Sequence, residues 1–292
     1  MTLQQILDIA IPWITFFLIA VVGMDITTDD FRSVKSSKKA FLVGTLGQYL
    51  LPLCGWLVLM MLKPVPAVVG GMILIASAPA GGISNYYSFL ARANVALSVV
   101  LTSTACLLAG ITMPAMLNFF QFLHPQSQSY FVPLRVLVKQ LFELLIIPVL
   151  LGWAIRSWFP RFVHGYSKIL RQIGFVMLGI LIGFIFYQSS ELFRASWLNI
   201  VEASVCFIIV SMLFGYIMGS IFRLQRKDVL TLLIEYGTRN VAIATAVAVV
   251  VLKRTDFAAF GAIYFLVEAA LILPVIAIFR KFSVRISNES AQ

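Results

Sequence analysis

Long apolar runs, separated by short polar segments, repeat along the whole chain. Hydrocarbon offers the backbone no hydrogen-bond partner, so an apolar run of roughly 17–25 residues predicts a helix that spans a bilayer. The pattern therefore predicts an all-α polytopic membrane protein with about nine transmembrane helices. The predicted spans lie near residues 5–24, 39–61, 66–91, 95–121, 131–155, 167–188, 197–222, 229–252 and 257–280.

Composition excludes a soluble protein. Hydrophobic residues make up 61% of the chain and charged residues 12%, which is more apolar surface than a soluble domain can bury. No segment between the spans is long enough for a second domain. Residues 1–292 are therefore expected to form one transmembrane unit surrounded by the lipid bilayer.

The formal net charge of +10 would suggest a nucleic-acid partner in a soluble protein. Here the basic residues follow alternate loops, and fifteen of the 22 lysines and arginines fall on one side of the predicted membrane. The positive-inside rule assigns that side to the cytoplasm. The sequence predicts a multi-pass protein of the cell membrane with an external N-terminus, a cytoplasmic C-terminus and no nucleic-acid partner. It leaves the oligomeric state open.

Two of the nine runs carry residues that interrupt a helix. The third run contains Pro-Ala-Gly-Gly-Ile-Ser-Asn at 79–85, and the eighth contains Glu-Tyr-Gly-Thr-Arg-Asn at 235–240. Proline removes an amide donor and paired glycines loosen the backbone, so the third span is expected to unwind near its middle. A packing kink would explain these residues alone. An ion pair between Glu235 and Arg239, one helical turn apart, would explain the charges of the eighth run.

The two interruptions lie five spans apart, and an odd offset places equivalent helices in opposite directions through the membrane. This is the pattern of an inverted repeat. Transporters built in this way bind substrate and ions where the broken helices meet. Half-helix N-termini carry partial positive charge and C-termini partial negative charge, so the meeting point should favour an anion beside a small cation.

These residues resemble the bile acid:sodium symporter family over nearly the whole chain. The likeness lies in residues 79–85, in the following Leu-Ala-Arg-Ala-Asn-Val-Ala-Leu-Ser-Val-Val-Leu-Thr at 90–102, in residues 235–240, and in Gln48 with Pro52. The resemblance implies a core domain whose two broken helices cross, packed against a smaller panel domain. The panel would comprise the spans near 5–24, 131–155 and 167–188, and the core those near 39–121 and 197–280.

The resemblance also implies a first sodium site. Hydroxyl, amide and carboxylate oxygens suit a hard cation, although a serine or threonine hydroxyl alone more often bonds back to its own helix. The implied ligands are Ser84, Asn85, Ser98, Thr102 and Glu235.

A second sodium site is implied at Gln48, Glu235 and the carbonyls of Tyr236 and Thr238, together with an amide where this chain has Arg239. Arginine has donors but no acceptor and cannot ligate Na⁺. Two hypotheses follow: the guanidinium stands in for the second ion, leaving one Na⁺ per cycle, or it pairs directly with an anionic substrate.

Candidate substrate contacts follow from the same interruptions. Asn240 and Gly82 lie where half-helix N-termini would meet an anion, and Arg239 could pair with it. Glu268 lies inside an apolar run, where acids rarely face lipid. Substrate contact, proton relay and packing against a polar partner all remain open for Glu268.

Together these features predict a sodium-coupled symporter that imports a small organic anion by alternating access. Proton coupling through Glu235 or Glu268, and a non-transporting membrane sensor of the same fold, are the alternatives. An enzyme is not expected, because the two histidines lie in predicted loops and no nucleophile–base spacing occurs.

Overall fold

The computed structural model describes residues 3–25, 37–123 and 134–289. Within these ranges the chain is helical, with no strand longer than an isolated bridge. The helices are α1 Leu3–Asp25, α2 Lys38–Leu62, α3 Pro66–Ser77, α4 Ile83–Leu90, α5 Val95–Leu123, α6 Leu134–Leu141, α7 Ile147–Trp158, α8 Pro160–Gln188, α9 Ser190–Ile221, α10 Arg226–Gly237, α11 Val241–Ala246 and α12 Thr255–Glu289. Residues Phe142–Ile146 join α6 to α7 as a π-helix, and Val247–Val251 continue α11 in the same form.

The helices follow the apolar runs of the sequence. Six of the described helices are long and apolar enough to cross a membrane, and three further apolar helices, at 10–24, 66–77 and 241–251, are shorter. The all-helical membrane fold is confirmed, whereas nine spans and the inverted repeat stay predictions. The start of the fifth predicted span, at 131–133, lies outside the described residues.

Both predicted interruptions are confirmed. The third run is divided into α3 and α4 by residues 78–82, and the eighth is divided into α10 and α11 by residues 238–240. Neither interruption is a simple kink, because the backbone at Ala78 and Thr238 is extended. We call residues 78–82 the first break and residues 238–240 the second break.

One face of α2 illustrates how the protein meets lipid. Large apolar side chains recur every three or four residues along this helix and are exposed: Leu42, Leu46, Leu50, Leu53, Leu57 and Met61. Residues at this spacing share a helix face. Such a continuous apolar face is unusual on a soluble protein and is expected against hydrocarbon.

Glycines allow α1 and α7 to pack closely. A Cβ atom on Gly23 would lie 2.2 Å from the Val149 carbonyl oxygen, and one on Gly152 would lie 2.0 Å from that of Ala20. Small residues at such contacts are typical of membrane helix pairs. Because α1 also contacts α8, the helices assigned to the panel do touch one another. They also contact α11 and α12, and the division into panel and core stays a prediction.

Candidate functional site

The two breaks lie side by side in the interior. Ala80 and Arg239 form an antiparallel bridge. The Asn240 amide donates to the Pro79 carbonyl at 2.9 Å, and the Gly81 amide donates to the Thr238 carbonyl at 3.3 Å. Backbone groups that the breaks free from helices are thus satisfied by each other, as hydrocarbon surroundings require.

Four helix ends converge at this pairing. Helices α3 and α10 end at the breaks, and α4 and α11 begin after them; the bridge between the breaks is antiparallel, so the two chains cross it in opposite directions. The last carbonyls of a helix carry partial negative charge and lack intrahelical partners. Cations are therefore favoured at the ends of α3 and α10.

Glu235, in the last turn of α10, is the centre of a buried oxygen cluster. The Ser84 hydroxyl donates to its carboxylate at 2.8 Å, the Thr102 hydroxyl donates at 3.1 Å, and the Ser98 hydroxyl also donates. Ser98 Oγ in turn lies 2.9 Å from Asn85 Oδ1. Helices α4, α5 and α10 therefore bring together all five residues of the first implied sodium site, which we call the Glu235 cluster.

The Glu235 cluster holds more close oxygen pairs than protons to fill them. Six oxygen pairs lie within 3.2 Å: Ser84–Glu235, Ser98–Glu235, Thr102 with each carboxylate oxygen of Glu235, Ser84–Thr102 and Ser98–Asn85. Three hydroxyl protons serve them, and a protonated Glu235 would add only one. Oxygen pairs without a proton between them repel each other, so this arrangement favours a bound cation.

Arg239 is held by the C-terminus of α3. Its guanidinium donates to the carbonyls of Ile75 at 3.4 Å, Ala76 at 3.4 Å and Ala78. The residue is 3% exposed, and its Nη1 has no hydrogen-bond partner. A positive charge thus already lies at one of the two carbonyl ends.

The ion pair between Glu235 and Arg239, considered as an alternative from the sequence, does not form. Helix α10 ends at Gly237, so the chain between the two residues does not complete a helical turn. Glu235 turns towards hydroxyls on α4 and α5, and Arg239 turns towards carbonyls on α3. Among the described residues, the two side chains make no ion pair within 4.0 Å.

The other residues of the second implied sodium site are less well gathered. Gln48 is buried and its Nε2 has no partner. The Tyr236 hydroxyl donates to the Gly44 carbonyl of α2 at 2.9 Å, and the Thr238 hydroxyl donates to Ile234 at 2.8 Å. No hydrogen bond joins Gln48 to Glu235 in the described part of the chain.

Helix α12 stabilises the second break and the end of α10 through two hydrogen bonds. Glu268 Oε2 accepts a hydrogen bond from the Arg239 amide at 3.2 Å, while Oε1 has no partner. One turn earlier, the Tyr264 hydroxyl donates to the Gly237 carbonyl at 2.8 Å. Sequence reasoning missed Tyr264, because a tyrosine in an apolar run carries no signal of a backbone contact.

A cavity of about 860 Å³ lies between the breaks and α1, α7 and α8. Gly82, Asn85, Arg239 and Asn240 line it at the breaks, and Arg156 lines it at the far end. Its other walls are largely apolar, and no aspartate or glutamate is among the described residues that line it. Glu268 is fully buried and does not reach this cavity.

Asn240 serves α11 as its N-cap, because its side-chain Oδ1 accepts the Ile243 amide at 3.1 Å. Its acceptor is therefore in use where it borders the cavity.

Comparison with known proteins fits this geometry. The model of the Sodium Bile acid symporter family matches residues 12–196. The chain belongs to this family. The family resemblance expected from the sequence motifs is confirmed, and the protein is an integral membrane protein.

Relatives within the family come from distant organisms. A probable sodium/metabolite cotransporter, BASS1, of Arabidopsis thaliana chloroplasts is 29% identical over 78% of this chain and 56% of its own length. An uncharacterized sodium-dependent transporter, YocS, of Bacillus subtilis is 24% identical over 81% of this chain and 73% of its own. The human P3 protein is 27% identical over 80% and 49%. The chain thus spans about half the length of several curated relatives.

Proposed function

We propose that this protein is a sodium-coupled symporter that imports an organic anion by alternating access. The observation that carries the proposal is the Glu235 cluster, because an oxygen-rich, acidic site is buried where two broken helices meet beside a cavity. Relatives described as sodium/metabolite cotransporter and sodium-dependent transporter support the same coupling.

One Na⁺ binds in the Glu235 cluster. Three hydroxyls, one amide oxygen and one carboxylate offer only oxygen, which hard cations prefer, and Glu235 supplies one negative charge to balance one monovalent ion. Ser84, Asn85, Ser98, Thr102 and Glu235 are the proposed ligands.

Arg239 takes the place of a second Na⁺. Its guanidinium donates to the three carbonyls at the end of α3, where a free cation would otherwise be attracted. With this fixed cation at the end of α3, no second Na⁺ binds at Gln48, Tyr236 and Thr238, and one Na⁺ moves per cycle. With a monovalent anion such a cycle transfers no net charge.

The organic anion binds in the cavity beside the breaks. Gly82 and Asn240 are the proposed contacts at the breaks. Arg239 also lines the cavity and adds positive electrostatic potential there. Glu268 supports the second break through the Arg239 amide. An anion suits walls that carry arginines and no described carboxylate.

The extent of the cavity supports the proposal of alternating access. It extends from the breaks to Arg156, near the α7–α8 turn, which the positive-inside rule assigns to the cytoplasm. The cavity thus corresponds to an inward-open state. Movement of the panel helices α1, α7 and α8 against the breaks would close it and open the opposite side.

The test is the thermal stability of purified protein in NaCl, KCl and choline chloride, since an ion that binds only the folded state raises apparent stability. We expect an increase specific to Na⁺ that disappears in Glu235→Ala. Asp228→Asn is the matched control. Asp228 is a second buried acid of α10, and its hydrogen bond from Asn94 survives in the asparagine.

Transport in proteoliposomes completes the test. Accumulation of organic acids driven by a Na⁺ gradient supports symport. Uptake driven by a pH gradient without Na⁺ would instead identify proton coupling, and saturable binding without accumulation would identify a sensor.

A further inference from the structure

Asn85 belongs both to the Glu235 cluster and to the cavity. It lies in the first turn of α4, directly after the first break, and is partly exposed. Ser84, Ser98, Thr102 and Glu235 are buried, and among the described cluster residues Asn85 alone lines the cavity. A side chain in this position touches the proposed cation and the proposed substrate at once.

The two ends of the Asn85 amide face different neighbours. Its Oδ1 lies 2.9 Å from Ser98 Oγ inside the cluster. Its Nδ2 donates to no other residue in the described part of the chain, and this nitrogen is accessible to solvent. An amide nitrogen is a donor only, so the group that Asn85 offers to the cavity is a hydrogen-bond donor.

The surroundings of this donor select an acceptor with negative charge. No described carboxylate lines the cavity, whereas arginines do. A hydrogen bond to an ionised acceptor is roughly twice as strong as one between neutral groups. The polar group of the substrate that reaches Asn85 should therefore be an anionic oxygen rather than a neutral one.

We infer that Asn85 couples the two ligands: its Oδ1 ligates Na⁺ while its Nδ2 donates to a carboxylate of the substrate. A cation on the oxygen fixes the amide plane and withdraws electrons from the nitrogen, which strengthens the N–H as a donor. Each ligand then binds more tightly when the other is present, by the same factor in both directions. This inference rests on the proposed function, since it requires the sodium site.

Asn85→Asp separates the two roles. The aspartate keeps an oxygen towards Ser98 but replaces the donor with a second anionic oxygen. Thermal stability would be measured first with NaCl alone and then with NaCl plus straight-chain monocarboxylates of three to eight carbons, each paired with its neutral primary amide. We expect the wild type to bind at least one carboxylate more tightly than its amide, and only weakly when KCl replaces NaCl.

In Asn85→Asp the Na⁺-specific increase should remain, while carboxylate affinity falls at least roughly tenfold. Asn85→Ala should weaken both ligands and bring the coupling factor to about one. Ser84→Ala is the matched control on the same helix, because it removes a cluster oxygen and leaves the donor. It should weaken Na⁺, yet keep the preference for carboxylate over amide at saturating NaCl.

Several outcomes overturn the inference. Normal carboxylate binding by Asn85→Asp would mean that Asn85 is not the donor, and loss of its Na⁺ response would mean that the oxygen is not the ligand. A wild type that responds to Na⁺ but binds no carboxylate refutes the inference and leaves the sodium site standing. A wild type without a Na⁺ response refutes the proposed function itself.

Discussion

Glu235 and Arg239 lie four residues apart, and each is surrounded by oxygen atoms near the end of a helix. The two differ in the source of the positive charge that balances those oxygens. Glu235 gathers side-chain oxygens from α4 and α5, and no basic side chain in the described part of the chain pairs with it. Arg239 gathers backbone carbonyls from the end of α3 and supplies the positive charge itself. With Na⁺ in the Glu235 cluster as proposed, one of the two helix ends is neutralised by an exchangeable ion and the other by a fixed side chain.

The difference also suggests separate roles for the Glu235 cluster and Arg239. A cation that leaves and returns can respond to its concentration on either side of the membrane, whereas a guanidinium cannot leave. In the proposed function, the Glu235 cluster therefore couples transport to the gradient, and Arg239 stabilises the end of α3.

The largest effect is expected from removing the negative charge of the Glu235 cluster. Glu235→Gln keeps the size of the side chain but leaves Na⁺ without its anionic ligand, so Na⁺-driven uptake should fall roughly a hundredfold or more, equivalent to about 2.7 kcal/mol. Initial uptake rates in proteoliposomes measure this. Uptake within a factor of three of the wild type would remove the cluster as the coupling site.

The next effect concerns the fixed cation. Arg239→Gln provides an oxygen where a guanidinium lay, so a second Na⁺ should bind and uptake should change from first-order to second-order dependence on Na⁺. The cycle would then move one positive charge, worth about 2.3 kcal/mol per 100 mV. Solid-supported-membrane currents should be absent in the wild type with a monoanion and present in the variant.

Arg239→Lys serves as the control, because it keeps the charge and should keep first-order dependence. Currents that are equally large in the wild type and in Arg239→Gln would show that arginine does not replace an ion.

A smaller effect is expected from a single hydroxyl. Ser84→Ala removes one neutral ligand of the cluster, and the Na⁺ concentration for half-maximal stabilisation should rise about tenfold. Ser88→Ala, one turn later on α4, removes a buried hydroxyl that has no partner and should leave that concentration unchanged. Equal shifts in both variants would indicate damage to α4 rather than loss of a ligand.

The smallest effect concerns the support from α12. Tyr264→Phe leaves the Gly237 carbonyl without its donor, which should lower the free energy of unfolding by about 1–2 kcal/mol. The Na⁺ affinity should change less than about threefold, since Tyr264 does not contact the cluster. Chemical denaturation in KCl and a Na⁺ titration measure the two quantities separately, and a larger change in affinity than in stability would contradict a purely supporting role.

Much of this site could be predicted from the sequence because its signals are local. Proline and paired glycine at 79–82 mark the first break, and two charges inside an apolar run mark the second. The family motifs further name Ser84, Asn85, Ser98, Thr102 and Glu235, and the structure places these side chains around one carboxylate.

The partners of Arg239 and Glu268 could not be predicted, because they are backbone groups. Every residue has a backbone carbonyl, so the side chains of Ile75 and Ala76 give no sign that their carbonyls bind Arg239. The alternative of an ion pair one helical turn apart was wrong because α10 ends at Gly237. The next residues pair with the first break, and such a long-range backbone contact is not visible in the local sequence.

The backbone pairing of the two breaks has a mechanical consequence. Buried backbone hydrogen bonds are costly to separate, because a donor or acceptor left without a partner bears the full desolvation penalty. A motion that slid one break past the other would rupture the bonds Asn240–Pro79 and Gly81–Thr238 in every turnover. A motion that carries both breaks as one rigid body ruptures neither. The hydrogen bonds between the two breaks should therefore remain formed throughout the transport cycle. The activation enthalpy of turnover should instead reflect the sliding of apolar helix surfaces along the cavity.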